Sequence, residues 1–303
     1  MVDLVSMSTP TPGFVDLHCH GALGHSFDDA DLDGVSAAVD WHRQHGTETL
    51  LLSLVTAPIP QLVRRLRELR EIIPQVRGAA GIHLEGPFLA PGRRGAHDPA
   101  SLVPPTALSV QTLITAAGGL LRQVTIAPEL PGAMDAIDAF VAAGVTVAVG
   151  HTEASYDIAA KAFDRGASLL THAFNAMPGL GHRGPGPVGA ALDRNHVVLE
   201  VIADGMHVHP TAIRTLFAAA PGRVALVTDA MSAAGLGDGE YLLGGLEVQV
   251  REGKPTLSGT DTLAGSTLTL DRAVSVVTDA GVPRAEAMAA ASTVPAHVLH
   301  GSS

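Results

Sequence analysis

Eight short runs rich in β-branched and aliphatic residues, each followed by a longer alanine- and leucine-rich stretch, constrain the fold of this chain more than any other feature. The runs fall at 14–17, 49–55, 79–84, 123–126, 145–149, 169–171, 197–202 and 224–227. Alternation of this kind predicts a parallel sheet covered by helices, because parallel neighbours need a long crossover between them. Eight strands are the number that closes such a sheet, so the expected fold is α/β, a (β/α)8 TIM-like barrel. A doubly wound open sheet is the alternative, but no GxGxxG turn follows the first run to favour it.

The helical half of the pattern shows at 59–73. There Leu62, Val63, Leu66 and Leu69 make one stripe, and Arg64, Arg65, Glu68 and Glu71 are expected outside it. With 303 residues, 46% of them hydrophobic, the chain has enough apolar material for one large core, expected as a single barrel domain over 1–303. After the eighth run, 241–257 alternates apolar and polar residues around Glu252-Gly253, which predicts an inserted β-hairpin. Two helical segments follow, at 267–279 and 284–300, and the closing Gly301-Ser302-Ser303 reads as a tag or truncation scar.

A net charge of −11 argues against general binding to nucleic acid or anionic membranes. The opening residues lack a basic region and a long apolar region, so they do not read as a signal peptide, and the most apolar stretches are strand-sized. Cys19 is the single cysteine, which rules out an internal disulfide and fits a cytoplasmic setting.

Barrel enzymes carry their chemistry at the carboxyl ends of the strands. The first run here ends in Asp16-Leu17-His18-Cys19-His20, the third in His83-Leu84-Glu85 and the fifth in Gly150-His151-Thr152. Thr171-His172 ends the sixth, Asp204-Gly205-Met206-His207 follows the seventh, and Thr228-Asp229 ends the eighth. His18 and His20 lie two apart on an extended segment, so both rings face one side, with Cys19 facing away. Such a pair alone is a weak sign, because histidine also caps, packs and titrates. Histidine or carboxylate at most of the strand ends is a strong one, since imidazole with carboxylate is a common zinc or iron set. Asp229 could cap the following helix, but beside a metal it can carry a proton from water to a leaving group.

The strings PGFVDLHCH, HLEGPFL, RRGAHDP, VGHTEA, THAFNAM, IADGMHVHP, LVTDAM and TLAGS occur in that order. Together they resemble the N-acetylglucosamine-6-phosphate deacetylase family of the amidohydrolase superfamily. The resemblance implies that Glu85, His151 and His172 are core ligands of a divalent metal, zinc in the first instance with iron or another ion as alternatives. It implies one or two ions per subunit, with His18 and His20 holding the second and Glu85 between. It further implies that His97 polarises the acetamido carbonyl and that Asp229 is the acid/base. Asn175, the Ala176 backbone, Arg183 and His207 would bind the phosphate of a phosphorylated amino sugar, in a homodimer whose Arg183 can serve the neighbouring subunit. A buried Asn175 would otherwise be a structural amide, and Arg183 in a Gly/Pro-rich loop an ordinary solvated arginine.

Two departures accompany the resemblance. The segments that make the family's small β-sandwich are mostly missing, so a barrel without that domain is expected. The family's REPG string is here Arg183-Gly184-Pro185-Gly186, without the acidic residue. Two competing functions remain beside deacetylation of N-acetylglucosamine 6-phosphate. One is an amidohydrolase acting on another N-acyl amino sugar or amide, and the other a truncated, non-catalytic protein that binds metal or sugar phosphate.

Overall fold

In the computed structural model, which describes residues 13–300, every one of the eight runs forms a strand. They are β1 (Phe14–Cys19), β2 (Thr47–Leu54), β3 (Ala79–Glu85), β4 (Leu121–Ile126), β5 (Thr146–Val149), β6 (Leu169–Leu170), β7 (Val198–Ile202) and β8 (Val224–Val227). Each pairs in parallel with the next in one eight-stranded sheet. The first and last strands meet at their carboxyl ends. The Asp229 N–H donates to the His18 carbonyl (2.8 Å), and Cys19 bridges in parallel to Ala230. Below that point the Asp16 carboxylate accepts from the Thr228 hydroxyl (2.6 Å) and N–H (3.2 Å), so one buried side chain completes the seam. The expected barrel is therefore present. The opening segment 1–12 and Gly301-Ser302-Ser303 lie outside the described residues.

The helix Ile59–Ile72 follows its stripe with one correction. Arg65 is buried rather than outside it, because its guanidinium donates to the Phe27 carbonyl (2.8 Å) and the Ala30 carbonyl (2.7 Å) while pairing with Glu68 (3.0 Å). A long side chain can lie along apolar surface and still satisfy its polar end, which periodicity does not register. Arg65→Ala would leave two carbonyls unpaired, with an expected loss of about 2–4 kcal/mol in urea unfolding. A midpoint unchanged from wild type would refute that role.

The hairpin expected at 241–257 is part of a three-stranded antiparallel sheet. Its strands are Gly239–Leu243, Leu246–Arg251 and Lys254–Leu257, turning at Gly244-Gly245 and Glu252-Gly253. Glycines at both turns make one alternating run read as a single hairpin. Val248, Val250 and Leu243 of this sheet pack with Val55, Met231 and Ala233 in a small apolar cluster of their own beside the strand ends. The last helical segment is divided into Arg284–Ala291 and Thr293–His300 by Ser292, whose backbone leaves the helical region (φ −131°, ψ −76°).

The barrel interior is unusually polar. Ser53, His83, Gln123, Thr125, Thr171 and Glu200 are all buried on or beside its strands, where bulky aliphatic residues are the common filling. Most of their polar atoms are paired, as His83 is to Ser53 Oγ (2.9 Å) and Thr125 Oγ1 (2.8 Å), whereas Gln123 Oε1 has no partner.

Candidate metal centre

Alternation along β1 puts Asp16 and His18 on the inner face, with His20 following, while Cys19 turns outward to within 3.2 Å of His42 Nε2 on the helix Leu32–Gln44. Glu85 closes β3. His151, His172 and Asp229 stand just past the ends of β5, β6 and β8, and all three have left-handed backbone, with φ of 46°, 25° and 49°. That conformation costs a non-glycine residue about 1–3 kcal/mol and is retained where the surroundings enforce it. The chain is tightly packed beside the first of the three: a Cβ at Gly150 would sit 2.6 Å from Thr171 Cβ. The residue before His151 therefore has no room for a side chain.

Glu85 is the hub. Its Oε1 lies 3.0 Å from His151 Nε2, 3.2 Å from His172 Nε2 and 3.4 Å from His18 Nε2. Its Oε2 lies 3.2 Å from His20 Nε2 and 3.3 Å from His97 Nε2. Asp229 Oδ1 faces His18 Nε2 (3.5 Å) and His20 Nε2 (3.3 Å). Two donor groups result, Glu85–His151–His172 and His18–His20–Glu85–Asp229, sharing one carboxylate. All of these side chains are buried except that of Asp229, which is partly open to solvent.

This arrangement fits divalent metal on its own chemistry. The Arg93 carbonyl can only accept, so His151 Nδ1, 2.8 Å away, carries the proton and Nε2 presents a lone pair. That lone pair points at the Glu85 oxygen, 3.0 Å away, a repulsive contact unless positive charge lies between them, and His172 Nε2 is 3.0 Å from the same nitrogen. The electrostatics of the cluster point the same way. Burial pushes His20 down, yet Asp229 and Glu85 more than reverse it and raise its pKa to about 9. Burial also opposes charge on His18, but Glu85 and Asp229 hold it well above the usual range. Burial raises the Asp229 carboxyl, and the nearby histidines outweigh that and bring it to about 2. The cluster calls for cations.

The cluster opens into a cleft of about 390 Å³. His97 lies on its wall, its Nδ1 accepting from the Thr56 N–H (3.2 Å), so its ring proton sits on Nε2. Asn175, Ala176 and His207 line the same cleft. Asn175 turns its amide nitrogen back to the His172 (3.3 Å) and Ala173 (3.4 Å) carbonyls, and His207 Nδ1 is 2.7 Å from Asp204 Oδ2, leaving Nε2 free of that bond. Arg183 is not brought to them: it is exposed on its loop and does not line the cleft. Arg93 does line it, as do Asp261 and Thr262 from beyond the three-stranded sheet. Sequence reasoning passed over Arg93, although its place just before Gly95-Ala96-His97 was a usable signal. It also passed over Glu200, whose buried carboxylate lies 3.5 Å from His18 Nδ1, because a charged residue inside a strand of aliphatic neighbours carries no motif.

The Amidohydrolase family model matches residues 9–301. N-acetylgalactosamine-6-phosphate deacetylase of Escherichia coli O157:H7 is 39% identical over 95% of this chain and 77% of its own length. N-acetylglucosamine-6-phosphate deacetylase of Bos taurus is 38% identical over 95% of this chain and 74% of its own. Among solved structures, a mutant of N-acetyl-D-glucosamine-6-phosphate deacetylase from Mycobacterium smegmatis in complex with N-acetyl-D-glucosamine-6-phosphate superposes with a TM-score of 0.92 at 42% identity. That match covers 95% of this chain and 77% of the other.

Proposed function

The chain belongs to the amidohydrolase family, and we propose that it hydrolyses N-acetylglucosamine 6-phosphate to glucosamine 6-phosphate and acetate. One observation carries the reading: a buried Glu85 ringed by His18, His20, His97, His151 and His172, with Asp229 beside it, at the floor of a cleft. Relatives at this level of identity are named as deacetylases of N-acetylated hexosamine phosphates.

Amide hydrolysis needs an activated water, stabilisation of charge on the carbonyl oxygen, and a proton for the departing amine. Asp229 is the base and then the acid: ionised at neutral pH, its Oδ1 takes a proton from the attacking water and later delivers it to the nitrogen as the C–N bond breaks. His97 is the neutral donor. Burial lowers its pKa to about 4, and the proton held on Nε2 meets the oxygen that gains charge. Glu85, His151 and His172 would hold one divalent ion, with His18, His20 and the shared Glu85 holding a second. Bound there, zinc supplies Lewis acidity to the acyl carbonyl and to water. The nitrogen-rich donor set supports zinc.

The phosphate would meet the Ala176 backbone N–H, His207 and Asn175, with Arg93 adding a guanidinium on the same wall. Arg183, exposed on its loop, would reach the cleft of a second copy, and this supports a homodimer. Among the described residues no helix is long and apolar enough to cross a membrane. The single cysteine supports a cytoplasmic setting.

His207→Ala is expected to raise KM for the phosphorylated sugar by about tenfold to a hundredfold while kcat changes less, as loss of a charge-assisted hydrogen bond requires. Unchanged KM would remove His207 from the phosphate site. The reading as a whole is tested by acetate release before and after chelation, with metal content measured on the same sample. N-acetylgalactosamine 6-phosphate and unphosphorylated N-acetylglucosamine serve as comparison substrates. No chelator-sensitive release from the glucosamine derivative would overturn it.

A further inference from the structure

Glu200 lies on β7, inside the barrel and beneath the donor cluster, with none of its surface exposed. Its Oε1 is fixed by the Gln123 amide (2.9 Å), and its Oε2 receives the His172 backbone N–H (3.4 Å) and faces His18 Nδ1 (3.5 Å). His18 Nδ1 has no hydrogen-bond partner, and Glu85 and Asp229 both approach the ring from its other nitrogen. The remaining polar ring nearby, His83, packs edge-on to His18 at 4.5 Å and already has Ser53 and Thr125 on its two nitrogens.

A neutral imidazole that gives the Nε2 lone pair to a cation must keep its proton on Nδ1. That buried N–H needs an acceptor, and a carboxylate in that place both fixes the ring and makes its other nitrogen a better donor. Glu200 Oε2 is the carboxylate oxygen in that place. With Asp16, it is one of two buried carboxylates beneath a cluster whose own acidic members are Glu85 and Asp229.

We infer that Glu200 is a positioning residue for the second metal ion: it holds His18 with Nε2 turned toward Glu85 and Asp229, and without it the His18–His20 site loses its ion first. This rests on the metal assignment proposed above, but it concerns the number and affinity of ions rather than the reaction.

The test is Glu200→Gln, which keeps the shape and removes the charge. Wild type and variant are reconstituted with zinc and titrated against a chromophoric chelator, and with cobalt to follow the visible bands of each ion. Wild type is expected to hold two ions. Glu200→Gln should hold the first unchanged and the second about 10–100-fold more weakly, with the matching cobalt bands lost. Glu200→Asp, which keeps the charge one methylene farther from His18, should fall between them, and it decides the matter if the glutamine variant does not fold. A second ion bound as tightly in the variants as in wild type overturns the inference, as does a wild type that holds one ion only. Acetate release by such a one-ion enzyme would leave the proposed function standing. Two Glu200-dependent ions without acetate release would leave this inference standing alone.

Discussion

Asp229→Asn should lower kcat by about a thousandfold, with KM and the content of the Glu85–His151–His172 site little changed. The expected size is that of losing a positioned general base and acid, about 10²–10⁴ in rate. Asparagine keeps the length and planarity of the side chain, so the β1–β8 seam is undisturbed: the bond made there by residue 229 is its backbone N–H to the His18 carbonyl. What disappears is the proton acceptor. Burial disfavours the charged carboxylate, but His18 and His20 pull its pKa down to about 2, so at neutral pH the wild-type group is ready to take a proton. An amide oxygen is a poor base and cannot return a proton to the amine. The split between kcat and KM separates this from a structural role, because a distorted cleft would raise KM as well. A loss of less than tenfold at full metal content would take the acid/base role away from Asp229.

The fold and the centre of the site were legible for one reason, which is that strand ends in a barrel converge. Once 14–17, 79–84, 145–149, 169–171 and 224–227 are read as parallel strands of one barrel, His18, Glu85, His151, His172 and Asp229 must approach one another at its carboxyl end. What stayed hidden lay either across the barrel or in backbone detail. Glu200 gains meaning only from Gln123 and His18, which lie 77 and 182 positions away in the chain, the second separation being 200 minus 18. Arg65 looked like a surface residue because its partners are carbonyls, which every residue has. The left-handed turns at His151, His172 and Asp229 are backbone detail that neither histidine nor aspartate announces in a sequence. Arg183 shows the reverse case. Its string resembles a phosphate-binding loop, yet the loop between β6 and the helix Gly186–Leu192 carries it away from its own cleft.

Stripping the metal should abolish activity and also make stability depend on pH in a window where the loaded protein's does not. In the apo protein only protons can separate the buried carboxylates from the imidazole nitrogens. His20 has a folded pKa of about 9, against 6.5 when unperturbed, so its protonation favours the folded state. For a group raised in this way the stabilisation is complete below about pH 6.5 and is lost as pH climbs through 9. The loss is on the order of 3 kcal/mol, which for a domain of this size is roughly 5–10 °C in Tm. Bound metal replaces those protons. An ion present at a thousand times its Kd adds about 4 kcal/mol, and the histidines it engages stop titrating in this range. Calorimetric melts of chelated and reconstituted protein at pH 6.5 and pH 9 are the check. The apo Tm should fall between the two pH values and the reconstituted Tm should stay nearly level. Melts that ignore the chelator at both pH values would mean that the cluster needs no cation, and the metal assignment would fall with it.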